Sequence, residues 1–376
     1  MGLGNINPER IKTRLRELCA IPGPSYKERP VLDYLLPYLK DRETSGLSWK
    51  EAPSPPAGGD TPNILIHISG KSDPVLLCAH MDTVPLARPV ITLIEEKGML
   101  RSDGSTVLGG DDRAGIVLAM EMIELCLADP SRSVSLEVLL TVQEEVGCLG
   151  SQNPGFDDIR SALCYNLDGE SPPGSLISAA PFKERFTCTV RGRSAHAALE
   201  AELGRNAVCH AAGIIMELPQ GRIDGESTAN IGSIRGGSQT NIVPDEALFT
   251  GEVRSFSSSR FAEIKEGINR ACEKADRADG YSVSIDWEHL YDGYSIDEDE
   301  TVIRRFTEAC SRKGTQPSLL RSAGGGDANN LNAQGIKTVV FGMGMHGIHT
   351  PKEYIVMEEL ITAAELLKET LNSGAS

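Results

Sequence analysis

Apolar positions along the chain follow two regimes. Up to about residue 180, and again near the C-terminus, apolar runs of strand length recur: NILIHI, VLLCAH, Val134 to Val142, ALCYNL and TVVFG. They alternate with stretches of helical period. PERIKTRLRELCAI is one, and the run from Arg113 to about Leu127, with Ile116, Val117, Met120 and Ile123 on one stripe, is another. This alternation predicts an α/β fold in which helices cover a mixed sheet. From about Pro181 the pattern changes to a strand at FTCTV, a helix from about Arg205 to Leu218, strands near ANIGSI and ALFTGEV, a helix from about Ser259 to Asp276, and a strand at YSVSIDW. The order βαββαβ predicts a ferredoxin-like α+β domain inserted into the first. Residues 1–180 and 289–376 then form one domain and residues 181–288 the insert.

Length and charge narrow the function. With 376 residues the chain supports two cores. A net charge of −16 disfavours nucleic acid and anionic membrane as partners, because phosphate recognition needs a basic surface. Nine scattered cysteines without a CxxC pair suit a reducing cytoplasm. The start, MGLGNINPERIK, lacks the apolar core of a signal peptide, and no apolar stretch approaches membrane length.

The candidate chemistry lies where the apolar runs end. His80 closes VLLCAH and Asp82 stands two residues on, so on an extended chain they leave on one face; Asp82 can then accept the second imidazole N–H of a metal-bound His80. Asp111 and Asp112 follow a glycine turn and open a helix, where one Asp suffices as a cap and a second carboxylate can bridge two ions. Glu144 and Glu145 end a buried strand and point to opposite sides, which implies different tasks. Asp168 closes ALCYNL and His349 follows TVVFGMGMHGI. Any one of these has a bland reading as a cap, a turn or a solvated pair. Five such clusters at element ends imply a metal site of imidazoles and carboxylates, a set that suits Zn²⁺ and, less well, Mn²⁺ or Co²⁺.

Two other motifs point elsewhere and do not hold. Gly342 to Gly347 satisfies G-x-G-x-x-G after a strand, but Pro351 and the nearby C-terminus leave no room for a dinucleotide-binding unit. Ser322 to Asn330, SAGGGDANN, lacks the Lys-Ser/Thr of a phosphate loop. No GxSxG elbow marks a serine hydrolase.

AHMDTVP, GGDDRAG, QEEVG, NLDG and HTPKE together resemble the zinc exopeptidase family that includes peptidase T, carboxypeptidase G and the aminoacylases, over nearly the whole chain. The resemblance implies two divalent metals, with Asp111 bridging, His80 and Asp168 on one ion, and Glu145 and His349 on the other. It makes Glu144 the general base acting on a water held by the metals, and it implies a cis peptide between Asp111 and Asp112. His196 in GRSAHA takes the place of a lid histidine that polarises the scissile carbonyl. Asn241 in TNIVP and Arg254 in GEVRSF take the places of substrate contacts. The insert becomes a lid through which a homodimer can form. A second family of di-metal aminopeptidases shares DDRAG and QEEVG but carries its accessory domain between the first histidine and the bridging aspartate. Here His80 to Asp111 is too short for a domain, which favours the peptidase T side. The expected activity is hydrolysis of short peptides by a peptidase T-like aminopeptidase. A carboxypeptidase, a dipeptidase or an N-acyl-amino-acid deacylase would use the same ligands, and a non-catalytic metal-binding protein would have no use for Glu144.

Overall fold

The computed structural model describes residues 3–129, 131 and 133–374, so the extreme ends of the predicted first domain, Met1, Gly2, Ala375 and Ser376, lie outside the described residues. The chain forms two compact units. One takes the chain up to Ala179 with Ser295–Ser322 and the residues from Gly326 onward; the other takes Ala180–Tyr294 with Ala323–Gly325.

The first unit is built on a nine-stranded mixed sheet. Four parallel strands make its centre, in the order Leu136–Thr141, Val75–His80, Leu163–Gly169 and Lys337–Gly342. Antiparallel pairing then adds Ile64–Ile68 and Leu47–Glu51 on one side and Ser175–Ala180 on the other. Every residue of Val75–His80 and Leu136–Thr141 is buried, as expected for parallel strands covered on both faces. All four central strands therefore end on one edge, where open α/β sheets bind ligands.

The helix Gly110–Ala128 lies against Val75–His80 and Leu163–Gly169. It is not the amphipathic surface helix that its spacing suggested: nearly all its residues are buried, because Pro8–Cys19 and Met357–Asn372 also pack on it. Its buried Glu121 accepts from Asn7 N and from Arg10. Gly115 makes the close approach to the sheet possible. A Cβ there would sit 2.2 Å from the Leu167 carbonyl oxygen and 2.4 Å from Asp112 Oδ1. A small four-stranded sheet of Met345–His346, Tyr354–Val356, Met99–Ser102 and Leu93–Glu96 was not foreseen, and neither was the helix Arg29–Arg42, which carries Pro37 inside it.

The second unit is an antiparallel five-stranded sheet in the order Gly221–Arg222, Ser227–Gly236, Glu246–Ser255, Phe182–Arg191, Ser282–Tyr291. The helices Ala207–Glu217 and Ser258–Asp276 bury Phe186, Val190, Phe249 and Ile268 between themselves and the sheet. This is the ferredoxin-like order with one short added strand. Its end falls at Tyr294 and not at Glu288, because the last strand runs beyond YSVSIDW to Tyr291. Among the described residues no helix is long and apolar enough to cross a membrane.

Candidate metal centre

The parallel strands deliver the predicted cluster to one edge. His80 ends its strand, Asp168 is the penultimate residue of Leu163–Gly169, and Glu144 and Glu145 follow Leu136–Thr141 by a few residues. Asp111 stands at the mouth of the helix Gly110–Ala128, before the regular helical dihedrals begin, and its peptide bond to Asp112 is cis. His349 sits in the loop between Met345–His346 and Tyr354–Val356 with φ 63°, one of three non-glycine residues with positive φ in the loops around the cluster, beside Gln143 and Cys148.

Asp111 lies at the centre of this group. Its Oδ1 is 3.0 Å from His80 Nε2 and its Oδ2 is 3.0 Å from His349 Nε2. His80 Nε2 is also 3.8 Å from Asp168 Oδ1, and His349 Nε2 is 2.9 Å from Glu145 Oε2. Two sets result, His80/Asp111/Asp168 and Asp111/Glu145/His349, each with its ligand atoms within 4.8 Å of one another and both sharing Asp111. Among the described residues Glu145 Oε1 is buried without a hydrogen-bond partner.

Titration follows from this crowding. Burial pushes Asp168 up to about 7, and the charge of Asp111 adds to the effect. Burial likewise raises Glu144 well above the carboxylate range. Hydrogen bonds to Asp111 and Glu145 lift His349 to about 10. Burial opposes the charge of His80, yet Asp111, Asp168 and Asp82 raise it well above its ordinary value. Burial also works against the Asp111 carboxylate, and the two imidazoles nevertheless hold it low. Such a cluster of buried acids around two imidazoles is an environment made for cations.

Asp82 does more than the sequence suggested. His80 Nδ1 lies 3.1 Å from the Asp82 carbonyl oxygen and 3.3 Å from its Oδ1. The carboxylate also accepts from Glu144 N at 3.0 Å, Glu145 N at 3.1 Å and Ser25 Oγ at 2.7 Å. It therefore holds the turn that presents both glutamates.

Two residues that sequence reasoning left without a role, Glu353 and Asp327, also build the centre, together with Asp112, which was read only as a helix cap. Glu353 is buried and accepts from Gly109 N at 2.8 Å and Asp111 N at 3.0 Å. Asp112 accepts from His80 N at 3.1 Å and Gly115 N at 3.0 Å. Asp327 accepts from Thr141 Oγ1 at 2.5 Å and Ser151 Oγ at 2.6 Å. Glu353 and Asp327 stood inside HTPKEY and SAGGGDANN, but no local pattern says that these carboxylates turn inward.

His196, Asn241 and Arg254 belong to the second unit. His196 pairs with Ile242 in an isolated bridge, and Ala197 N donates to the Asn241 carbonyl at 2.9 Å, so the first two stand together. The exposed His196 ring accepts at Nδ1 from Ala198 N and Leu199 N, both at 3.2 Å, so the neutral ring carries its proton at Nε2. Arg254 is apart from this pair. It donates through Nε to Glu252 at 2.8 Å and through Nη1 to the Ala323 carbonyl at 2.8 Å.

Comparison with known proteins accords with this architecture. The profile of the M20 peptidase dimerisation domain matches residues 185–280, and that of peptidase family M28 matches residues 63–206. The segment between His80 and Asp111 holds only the hairpin Leu93–Glu96 and Met99–Ser102, while the second unit follows Asp168. YqjE, an uncharacterised protein of Bacillus subtilis, is 31% identical over 373 residues, covering 98% of this chain and 100% of that one. Aminopeptidase PepT from Bacillus cereus shares 31% identity at a TM-score of 0.91, with 99% of this chain and 100% of that chain covered. A tripeptidase from Staphylococcus aureus shares 27% identity at a TM-score of 0.90 with the same coverage. The chain belongs to the M20 peptidase family, on its peptidase T-like side.

Proposed function

We propose that this chain is a two-metal exopeptidase that removes residues from short peptides as an aminopeptidase, with His80 and Asp168 on one ion, Glu145 and His349 on the other, and Asp111 bridging. The observation that carries this reading is the division of Asp111, each oxygen facing one imidazole and each imidazole backed by a further carboxylate. The residues fit such ions. All five are hard or borderline N/O donors, and the buried Glu145 Oε1 has no hydrogen-bond partner among the described residues. Zinc suits this set best, with Mn²⁺ and Co²⁺ next.

When bound, the ions supply Lewis acidity toward water and the scissile carbonyl. The chain supplies the proton handling. Glu144 is outside both sets and its burial raises its proton affinity, so it can take a proton from the attacking water and return it to the leaving amine. Asp82 holds the Glu144 backbone while it does so. His196, protonated at Nε2, donates to the developing oxyanion, and Asn241 and Arg254 hold the substrate. The second unit acts as a lid and dimerisation domain, as the match to a peptidase dimerisation domain supports. A cytoplasmic setting fits the nine free cysteines, eight of them buried.

Glu144→Gln tests the reading. It should retain two metals per chain by elemental analysis and lose hydrolysis by about 10²-fold or more. Loss of metal would show that its role is misassigned. Product analysis on free, N-acetylated and C-amidated tripeptides decides among aminopeptidase, carboxypeptidase and deacylase. An aminopeptidase cleaves the free and amidated peptides and spares the acetylated one.

A further inference from the structure

Glu144 has a neighbour that the proposed reaction does not use. Cys148 Sγ lies 3.3 Å from Glu144 Oε1. That is the only hydrogen bond its side chain makes among the described residues, and the same holds for Glu144. We propose that Cys148 is a positioning residue for Glu144, its thiol pinning Oε1 by a hydrogen bond so that the other carboxylate oxygen is left to exchange the proton. The proposal rests on Glu144 being the base.

The turn is built to fix the thiol. Gly147 N and Cys148 N donate to the Glu144 carbonyl at 3.0 and 2.7 Å, and Leu149 N donates to the Gln143 carbonyl at 3.0 Å. The chain thus closes a tight loop from base to cysteine. Cys148 itself is in the left-handed region, φ 57°, at the start of the short helix Leu149–Gln152. Its carbonyl accepts from Asn330 Nδ2 at 3.2 Å. Asn330 Nδ2 also donates to Ser151 Oγ at 2.9 Å, and Ser151 donates to Asp327. The GGGDANN segment, which has no place in the ligand set, therefore serves to lock the cysteine.

Burial keeps the thiol protonated, with the charges of Glu144 and Asp327 acting in the same direction, and only a protonated thiol can donate. Cys148 is 3% exposed, so water does not replace it as a partner. On another side of Oε1, a Cβ at Gly326 would lie 3.2 Å away. The oxygen is hemmed in by a donor and by a residue with no side chain. A fixed hydrogen bond to one oxygen of a base removes rotamers that cannot reach the substrate, which raises kcat without altering substrate binding.

Kinetics of Cys148→Ala, Cys148→Ser and Glu144→Gln, singly and combined, test this on the full-length protein with metal supplied. Cys148→Ala should lower kcat about 5- to 10-fold, the scale of one ordinary hydrogen bond as suits a weak thiol donor, and leave KM within about twofold. Cys148→Ser, which keeps a donor, should recover kcat to within about twofold of the parent. Adding Cys148→Ala to Glu144→Gln should cost nothing further, since the two residues act as a unit. Three results would overturn the proposal: parental kcat in Cys148→Ala, equal losses in the Ala and Ser variants, or additive losses in the double variant. Loss of metal in Cys148→Ala would overturn it too, by making the thiol a ligand. If Glu144→Gln alone stays active, the base assignment itself fails. If it is inactive while Cys148→Ala is unimpaired, only the positioning role falls.

Discussion

Replacing Asp82 by Asn removes one charge and one acceptor from a fully buried carboxylate that serves four groups. Oδ2 takes Ser25 Oγ and Glu145 N, and Oδ1 takes Glu144 N and faces His80 Nδ1. Asparagine can keep its oxygen at the Oδ2 position and preserve the first two bonds. Its amide nitrogen then faces Glu144 N–H, donor against donor, and that N–H is left buried and unpaired. The penalty for such a group is about 1–3 kcal/mol, and the remaining bonds lose their charge assistance. A total near 2–3 kcal/mol corresponds to about 30- to 150-fold in rate if it falls on the position of Glu144. Weaker support for the His80 ring should in addition cost about 10- to 100-fold in metal affinity at one site. The assay is peptide hydrolysis across a metal titration. At saturating metal the affinity defect is masked and only the glutamate defect remains. If kcat of Asp82→Asn then returns to within about threefold of the parent, Asp82 serves the imidazole alone and the argument from the glutamate N–H groups is wrong.

Other residues give independent checks. Glu353→Ala strips the acceptor from Gly109 N and Asp111 N and should destabilise the protein by about 2–4 kcal/mol in urea unfolding while lowering metal content; a loss under about 1 kcal/mol would contradict the role assigned to it. Gly115→Ala would drive a Cβ into the Leu167 carbonyl and Asp112, so it should cost about 3 kcal/mol or more; parental stability would show that the helix shifts freely. Burial lifts the Glu28 carboxyl to about 7, above its unfolded value near 4.3, so the folded state binds this proton more tightly. Its stabilising contribution is complete below about pH 4.3 and is lost as pH rises through 7. Glu28→Gln, which cannot ionise, should gain up to about 3 kcal/mol relative to the parent between pH 4.5 and 7.5, and a pH-independent difference would refute the assignment. His196→Ala should keep its metal and lose about 10²-fold in kcat with a smaller change in KM; an unchanged kcat would leave this histidine without a catalytic part.

Much of the centre could be read from residue types at element ends. His80, Asp168 and the glutamate pair each close an apolar run, and a parallel sheet sends all such ends to one edge. The order βαββαβ announced the inserted unit for the same reason: period and spacing are local properties. The supporting contacts beyond that of Asp82 with His80 were illegible because the partners are distant. Glu353 meets Gly109 across 244 positions, Asp327 meets Thr141 across 186, and Asp82 meets Glu144 across 62. Nothing in HTPKEY or SAGGGDANN distinguishes a carboxylate that turns inward from one that stays in water. The burial of Gly110–Ala128 was missed similarly, since its stripe of apolar residues says what one face wants and not how many neighbours will cover the rest.

The sequence by itself determined which atoms were on offer, two imidazoles and a surplus of carboxylates, and the elements at whose ends they stand. Only the tertiary structure decided that Asp111 turns one oxygen to each histidine, that Asp82 grips both glutamates by their N–H groups, and that a cysteine thiol meets Glu144. Those choices depend on which strands become neighbours and in what register, and on which polar groups are left buried and must find a partner once they do.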